Sequence, residues 1–300
     1  MLKILVAGGT GLIGSNLITK LKQKNYKVVL LSTQKNKADN HSIFYWQPAK
    51  NELPEAALEG VDICINLCGA GIFDKPFSAK RKKELIDSRI ISTNVLFEGF
   101  KKRKTPLMHY IGGTATGFYP NICSDKLTED YTKGEGFISD LVGDWEKASH
   151  QFNDISTLVS IMRTGIVLSE KGGFLKQLAT PIRFYVGAVP GNGQQIISWI
   201  HIDDWSRMLI HLLENKIGGT FNAVASHPAK LQVLTKEIAH CLHRPLLLPN
   251  IPIFALKLIF GERYQLLLTS QNVSNDKIKN TGFKFDFELS KMALQNLLEK

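Results

Sequence analysis

The chain has 300 residues, with 37 Lys and Arg against 27 Asp and Glu, for a formal charge of +10. Hydrophobic residues make up 44% and charged residues 21%, a balance that excludes a disordered tail, a collagen or a disulfide-stapled miniprotein. The length suits one large domain or two unequal lobes, and the charge leaves nucleic acid, anionic lipid or a phosphorylated small molecule open as partners.

In chain order, Lys3–Ala7 is a short apolar run followed by a glycine turn. Ile13, Leu17, Ile18 and Leu21 then recur at helical spacing. Strands are predicted at 27–31, 43–46 and 62–67, the last closed by Gly69 and Gly71. A long helix with a basic face is predicted over 79–103, ended by Thr105 and Pro106. A fifth strand follows at 108–111, a helix at 136–152 and a sixth strand at 157–162. Alternation of this kind predicts an α/β fold with a parallel sheet covered by helices on both faces.

After Gly165 the pattern becomes irregular and richer in Gly and Pro. A helix at 203–213 and a strand at 220–223 are expected to return to the sheet. The expected division is therefore a dinucleotide-binding domain over residues 1–165, rejoined by 196–225. A small substrate-binding lobe would comprise 166–195 and 226–300.

Met1 leads directly into Lys3, Ile4, Leu5 and Val6, so no signal peptide is expected. The apolar stretch 251–268 is interrupted by Lys257, Gly261, Glu262 and Arg263 and is not expected to span a bilayer. The cysteines are Cys64, Cys68, Cys123 and Cys241. The first two lie in or beside an apolar run, and buried free thiols point to a reducing cytosol. No metal is expected, since His240, Cys241 and His243 lack a second ligand pair.

The clearest motif is Gly8-Gly9-Thr10-Gly11-Leu12-Ile13-Gly14, set between the first strand and the first helix. One glycine makes the tight turn, one admits a pyrophosphate close to the backbone, and one lets helix and strand pack. The helix N-terminus adds free N–H groups and the positive end of its dipole. The context makes this a Rossmann doubly wound sheet. An NAD site places an acid at the end of the second strand. Here that segment reads Ser32-Thr33-Gln34-Lys35-Asn36-Lys37, and no acid occurs before Asp39. Ser32, Thr33, Lys35 and Lys37 suit a 2′-phosphate, so NADP(H) is preferred and NAD(H) is the alternative.

These motifs, with several further ones, resemble the extended short-chain dehydrogenase/reductases. The chain is most similar to the atypical branch of NAD-dependent (nucleoside-diphosphate-sugar) epimerase-like proteins. The resemblance rests on the glycine loop and on Asn66-Leu67-Cys68-Gly69-Ala70. It continues through Lys83-Glu84-Leu85-Ile86-Asp87-Ser88-Arg89, Ala115-Thr116-Gly117-Phe118-Tyr119 and Trp145-Glu146. It extends to Arg163-Thr164-Gly165-Ile166-Val167-Leu168 and to Gly191-Asn192-Gly193-Gln194-Gln195 with Ser198-Trp199-Ile200-His201-Ile202-Asp203-Asp204. It implies that Leu67, Cys68 and Gly69 pass beside the cofactor ribose and that Glu84 and Arg89 face the cofactor. Arg163 ends the sixth strand, at the carboxyl edge where ligands bind in such sheets. Thr33 stands where the family commonly has Arg.

The usual catalytic Tyr-x-x-x-Lys is missing, because none of the tyrosines is followed four residues later by Lys. Alignment on Trp145-Glu146 puts Ile138 at the Tyr position and Val142 at the Lys position. The candidates for chemistry are then Thr114, at the usual Ser/Thr position, and Tyr119 as a substitute acid. His201 has the chemistry of a base, but in the extended relatives its segment mostly anchors the second lobe. Asp203 and Asp204 are expected to cap the following helix.

The resemblance implies an oxidoreductase or sugar-nucleotide epimerase-like protein acting on a carbinol or carbonyl. The alternative is a catalytically reduced, NADP(H)-sensing regulatory protein. The substrate is expected to be a small molecule such as a nucleotide sugar, with no membrane partner and with the oligomeric state open. The basic runs at 80–83 and 101–104 lack interleaved aromatics and any DNA-reading element, so no nucleic-acid partner is expected.

Overall fold

Ile4, Leu5, Val6 and Ala7 are all fully buried in β1 (Lys3–Ala7). A run covered on both faces is what a central parallel strand requires. The computed structural model, which describes residues 1–39, 41–121 and 124–299, builds the sheet outward from this strand. α1 (Leu12–Gln23) buries Leu17 and Leu21 on one face, and β2 (Lys27–Ser32), β3 (Ile43–Tyr45) and β4 (Ile63–Asn66) follow. α2 (Ala79–Lys101) is capped by Ser78, whose side chain accepts from the Arg81 N–H. β5 (His109–Ala115), α3 (Phe137–His150) and β6 (Val159–Thr164) continue the alternation.

Beyond β6 the elements are β7 (Ile166–Leu168), α4 (Gly173–Arg183), β8 (Ile196–Ile197), β9 (Trp199–His201), α5 (Ile202–Glu214), β10 (Gly219–Ala223) and β11 (Ala229–Lys230). α6 (Leu231–Cys241), α7 (Ile253–Phe260), α8 (Tyr264–Leu268), α9 (Asp276–Lys279) and α10 (Ser290–Leu298) complete the chain.

The main sheet has seven strands in the order β10-β6-β5-β4-β1-β2-β3. Every pairing in it is parallel. Strand order reverses between β1 and β4, which opens a crevice at their carboxyl ends. On one face, Leu17, Leu21, Trp205 and Leu209 of α1 and α5 pack on Ile4, Val6, Ile63 and Ile65. On the other, Val95, Leu96 and Phe100 of α2 join Phe152 against Leu5, Cys64 and Tyr110. The Tyr110 and Phe152 rings stack with centroids 3.7 Å apart. A separate core holds Leu175, Trp199, Leu234 and Leu294, from α4, β9, α6 and α10.

Two strands depart from the periodicity reading. β5 runs on to Ala115 instead of stopping near 111, because Gly112 and Gly113 stay in the sheet opposite Ile161 and Met162. A Cβ on Gly113 would lie 2.9 Å from Leu67 Cδ2. Close packing against Leu67 is therefore the reason for glycine here. β6 lies two residues later than expected, which brings Arg163 into the strand.

Candidate cofactor site

The β1–α1 loop is shaped by its own backbone. Gly8 has φ +79°, and a Cβ there would lie 2.5 Å from the Leu67 carbonyl oxygen. At Gly14 a Cβ would lie 2.5 Å from the Gly8 oxygen. Gly11 is the N-cap and offers no side-chain acceptor, and α1 has no acid in its first turn. The first helical bond runs from Ser15 N to Gly11 O at 2.9 Å, so the N–H groups of Leu12, Ile13 and Gly14 precede any helical acceptor. Bare donors at a positive dipole end fit a pyrophosphate, and only glycine leaves the space for it.

At the end of β2, Ser32 is buried and its Oγ accepts from Gln34 N at 3.1 Å. Thr33, Lys35 and Lys37 are exposed beyond it. The nearest acid, Asp39, is consumed locally. Its carboxylate accepts from His41 N, Ser42 N and Ile43 N, each at 2.8 Å, and from Ser42 Oγ at 2.6 Å. These bonds, the one from Ser42 Oγ first, hold the carboxyl well below the usual carboxylate range.

The turn after β4 is pinned by Asn66. Its Oδ1 accepts from Cys68 N at 3.1 Å, while its amide donates to Thr93 Oγ1 at 2.9 Å. Arg89 supports the same turn from α2, donating to Ala70 O at 3.1 Å and Leu85 O at 3.0 Å. A Cβ on Gly69 would sit 3.0 Å from the Arg89 guanidinium carbon. On its other side Arg89 lies over the Trp145 ring, 5.0 Å from its centroid. Burial, with Arg81 nearby, brings Arg89 down to about 10. Burial also pushes the Cys68 thiol up to about 12. Glu84 does not share this place: it is exposed and pairs with Arg81 at 2.8 Å. Five residues apart on a helix, Glu84 and Arg89 cannot follow one stripe.

At the carboxyl edge of β5 and β6 the polar side chains satisfy one another. Arg163 donates through Nε to Glu146 Oε1 at 2.9 Å and through Nη2 to Oε2 at 2.8 Å. Thr114 Oγ1 donates to the same Glu146 Oε1 at 3.0 Å. Arg163 Nη1 donates to Tyr119 OH, and that hydroxyl donates to Asn222 Oδ1 at 2.7 Å. All five side chains are buried. Burial raises the Tyr119 pKa, and Arg163 opposes the rise without cancelling it. Glu146 and Asn222 are the members that sequence reasoning did not single out. Glu146 was legible only as part of a family motif, and nothing local marks Asn222.

The positions that carry Tyr and Lys in the usual catalytic set are aliphatic here and packed. A Cβ on Gly117 would lie 2.7 Å from Ile138 Cγ2 and 3.7 Å from Val142 Cγ2.

The helix-cap expectation at α5 is corrected. His201 is the N-cap, its Nδ1 accepting from Asp203 N at 3.0 Å. Asp203 instead reaches α1, accepting from Asn16 Nδ2 at 3.0 Å and pairing with Lys20 at 3.0 Å. Asp204 is fully buried and accepts from the backbone of Asp286 and Phe287 at 3.0 and 2.9 Å. The His201 ring stacks on Phe287, centroids 3.9 Å apart. This segment therefore ties α1, α5 and the C-terminal region together. Among the described residues no group of three or more His, Cys, Asp or Glu could hold a metal ion. Cys123 lies outside the described residues.

A seven-stranded parallel sheet with a glycine-lined helix N-terminus at its switch point defines a dinucleotide-binding α/β protein of Rossmann type. Residues 4–139 match the model of the NAD dependent epimerase/dehydratase family, and residues 251–297 match a domain of unknown function, DUF1731. An epimerase family protein of Staphylococcus aureus is 35% identical over 302 residues, covering all of both chains. The chain belongs to the epimerase family, within the atypical short-chain dehydrogenase/reductases. The crystal structure of human epimerase family protein SDR39U1 with NADPH superposes with a TM-score of 0.89 at 28% identity, covering 99% of each chain. UDP-glucose 4-epimerase of Thermotoga maritima, solved with UDP-glucose, shares the fold at a TM-score of 0.78 and 18% identity, over 99% of this chain and 98% of that one.

Proposed function

We propose that this protein is an NADP(H)-dependent oxidoreductase or sugar-nucleotide epimerase-like enzyme acting at a carbinol or carbonyl carbon of a small molecule. The observation that carries the cofactor preference is the end of β2. Thr33, Lys35 and Lys37 offer an exposed hydroxyl and cations, Ser32 shapes the turn through its bond from Gln34 N, and Asp39 has its carboxylate engaged by its own turn. A ribose 2′-OH would find no acid there, and a 2′-phosphate would find counter-charge. The human relative solved with NADPH supports the same preference.

The bound nicotinamide would supply the hydride donor or acceptor. The chain's own residues bind and orient. Leu12, Ile13 and Gly14 hold the pyrophosphate with backbone N–H groups, and Gly8, Thr10 and Gly11 shape the loop. Leu67, Cys68 and Gly69, backed by Arg89, border the nicotinamide ribose. Thr114 donates its proton to Glu146, which leaves its lone pairs to accept from a substrate hydroxyl. Arg163 holds Glu146 and Tyr119 in place. For Tyr119 to act as an acid it must first give up its bond to Asn222. The lobe of residues 166–195 and 226–300 would close over the substrate.

A second reading is favoured by Ile138 and Val142, which leave no proton relay at the usual place: an NADP(H)-sensing regulatory protein without turnover.

The test is a titration of NADPH and NADH by fluorescence, followed by assay against carbonyl compounds and nucleotide sugars. Tighter NADPH binding, weakened about tenfold by joint Lys35→Ala and Lys37→Ala substitution, is expected. Preference for NADH overturns the cofactor assignment. NADPH binding without turnover on any substrate favours the sensor.

A further inference from the structure

α7 reads Ile253-Phe254-Ala255-Leu256-Lys257-Leu258-Ile259-Phe260, and Leu256 is its one buried residue. Phe254 is 74% exposed, Leu258 86% and Ile259 62%. Phe254 and Leu258, four residues apart, share one helix face.

Two other segments extend this surface. Phe184, Tyr185 and Val186 are exposed at the end of α4. The strip that follows them is held beside the start of α7 by bonds from Gly191 N to Ile251 O and from Ile251 N to Val189 O, both 2.9 Å. The Arg244 guanidinium lies over the Tyr185 ring at 5.0 Å, and exposed Leu247 and Leu248 follow it closely in the chain. Contiguous exposed apolar surface marks an interaction site more often than isolated residues do.

The charges choose the partner. Residues 181–191 and 243–263 contain Arg183, Arg244, Lys257 and Arg263 against a single acid, Glu262; Arg263 donates to Phe73 O at 2.6 Å, and the other three remain for a partner. Glu262 is paired with Lys82 at 2.7 Å. A second copy packed across a two-fold axis would set these cations against their own images. An anionic lipid surface matches both features: aromatic and aliphatic side chains enter the headgroup–acyl boundary, and Lys and Arg meet the phosphates. Among the described residues no helix is long and apolar enough to cross a membrane, so such a contact is peripheral.

We infer that the face built by α7, residues 184–186 and residues 247–248 docks the protein on an anionic membrane surface. The sequence expectation of no membrane partner rested on spanning segments, and a face assembled from three separate stretches escapes that criterion. The inference does not depend on the proposed chemistry.

Vesicle flotation tests it, using phosphatidylcholine alone and phosphatidylcholine with about one-third phosphatidylglycerol. The wild-type protein should float with the anionic vesicles and be released as salt rises from ~0.1 M to ~0.5 M. Joint Phe254→Ser and Leu258→Ser substitution should lower partitioning by about tenfold or more. Lys257→Glu alone should lower it about threefold or more. Both variants alter exposed side chains, and unchanged thermal unfolding and NADPH binding confirm an intact fold. Absence of wild-type flotation, or flotation equal in wild type and variants, overturns the proposal. So does a dimer, seen by light scattering, that the Phe254/Leu258 variant abolishes, since the face then belongs to a second copy.

Discussion

Arg163 and Glu146 form a two-pronged ion pair across the β6–α3 boundary, Nε to Oε1 at 2.9 Å and Nη2 to Oε2 at 2.8 Å, with both side chains about 6% exposed. The pair commits the Thr114 and Tyr119 hydroxyls to a fixed arrangement. Removing one partner strands a buried charge. Glu146→Ala should cost about 3–5 kcal/mol of stability, and Glu146→Leu combined with Arg163→Met should recover most of that. Denaturant unfolding measures both; a single-variant loss under about 1 kcal/mol would mean the pair contributes little.

Gly14→Ala places a methyl group 2.5 Å from the Gly8 carbonyl oxygen. Neither side can yield without moving the β1–α1 loop, where the proposed pyrophosphate site lies. NADPH affinity should fall about tenfold or more, read by fluorescence titration. Gly60→Ala is the contrast: its φ is +61° with nothing within 4 Å, so it should cost about 1 kcal/mol through backbone strain and leave NADPH binding unchanged.

His109 is buried on β5, its Nε2 2.7 Å from Ser160 Oγ. Ser160 donates its proton to Ile217 O, so the imidazole is the donor and Nδ1 is bare. Burial pulls the His109 pKa from 6.5 down to about 4. The unfolded chain then binds more protons than the folded one between those values. Stability is full above pH 6.5 and declines as the pH falls toward 4, by about 2–3 kcal/mol at the limit. A His109→Gln variant should show a flatter dependence of thermal unfolding on pH over that window; an unchanged slope would assign the acid sensitivity to other groups.

Thiol reactivity should be low despite the absence of disulfides at Cys64, Cys68 and Cys241. Burial raises all three, Cys68 to about 12 and Cys241 to about 11. The thiolate is the reacting form, so iodoacetamide at pH 8 should leave these three unmodified in the native protein and modify them after denaturation. Rapid native alkylation of Cys68, read by peptide mass, would show that the turn after β4 opens readily.

The legible parts of the site were those set by local backbone. Gly8, Gly11 and Gly14 sit between an apolar run and a helical repeat, and that pattern requires no knowledge of distant residues. The acid-free stretch from Ser32 to Lys37 was readable on the same grounds. Less was visible where glycine served packing: the predicted strand stopped at 111, while Gly112 and Gly113 lie within β5. His201 took the capping part expected of Asp203 and Asp204, since an imidazole nitrogen can accept from a helix N–H as a carboxylate does, and Asp203 turned to α1 instead. Asn222 enters the Tyr119 network from a strand 103 positions away.

By itself the sequence determined a parallel α/β sheet with a dinucleotide loop at its switch point, because strand and helix periodicities and glycine requirements act over a few residues. Tertiary structure alone decided which polar groups are already satisfied: Thr114 by Glu146 and Tyr119 by Asn222. It also tied the strip after α4 to the start of α7, through the bonds of Gly191 and Val189 with Ile251. A hydrogen-bond partner or an apolar neighbour is set by proximity in space, and packing creates that proximity between residues far apart along the chain.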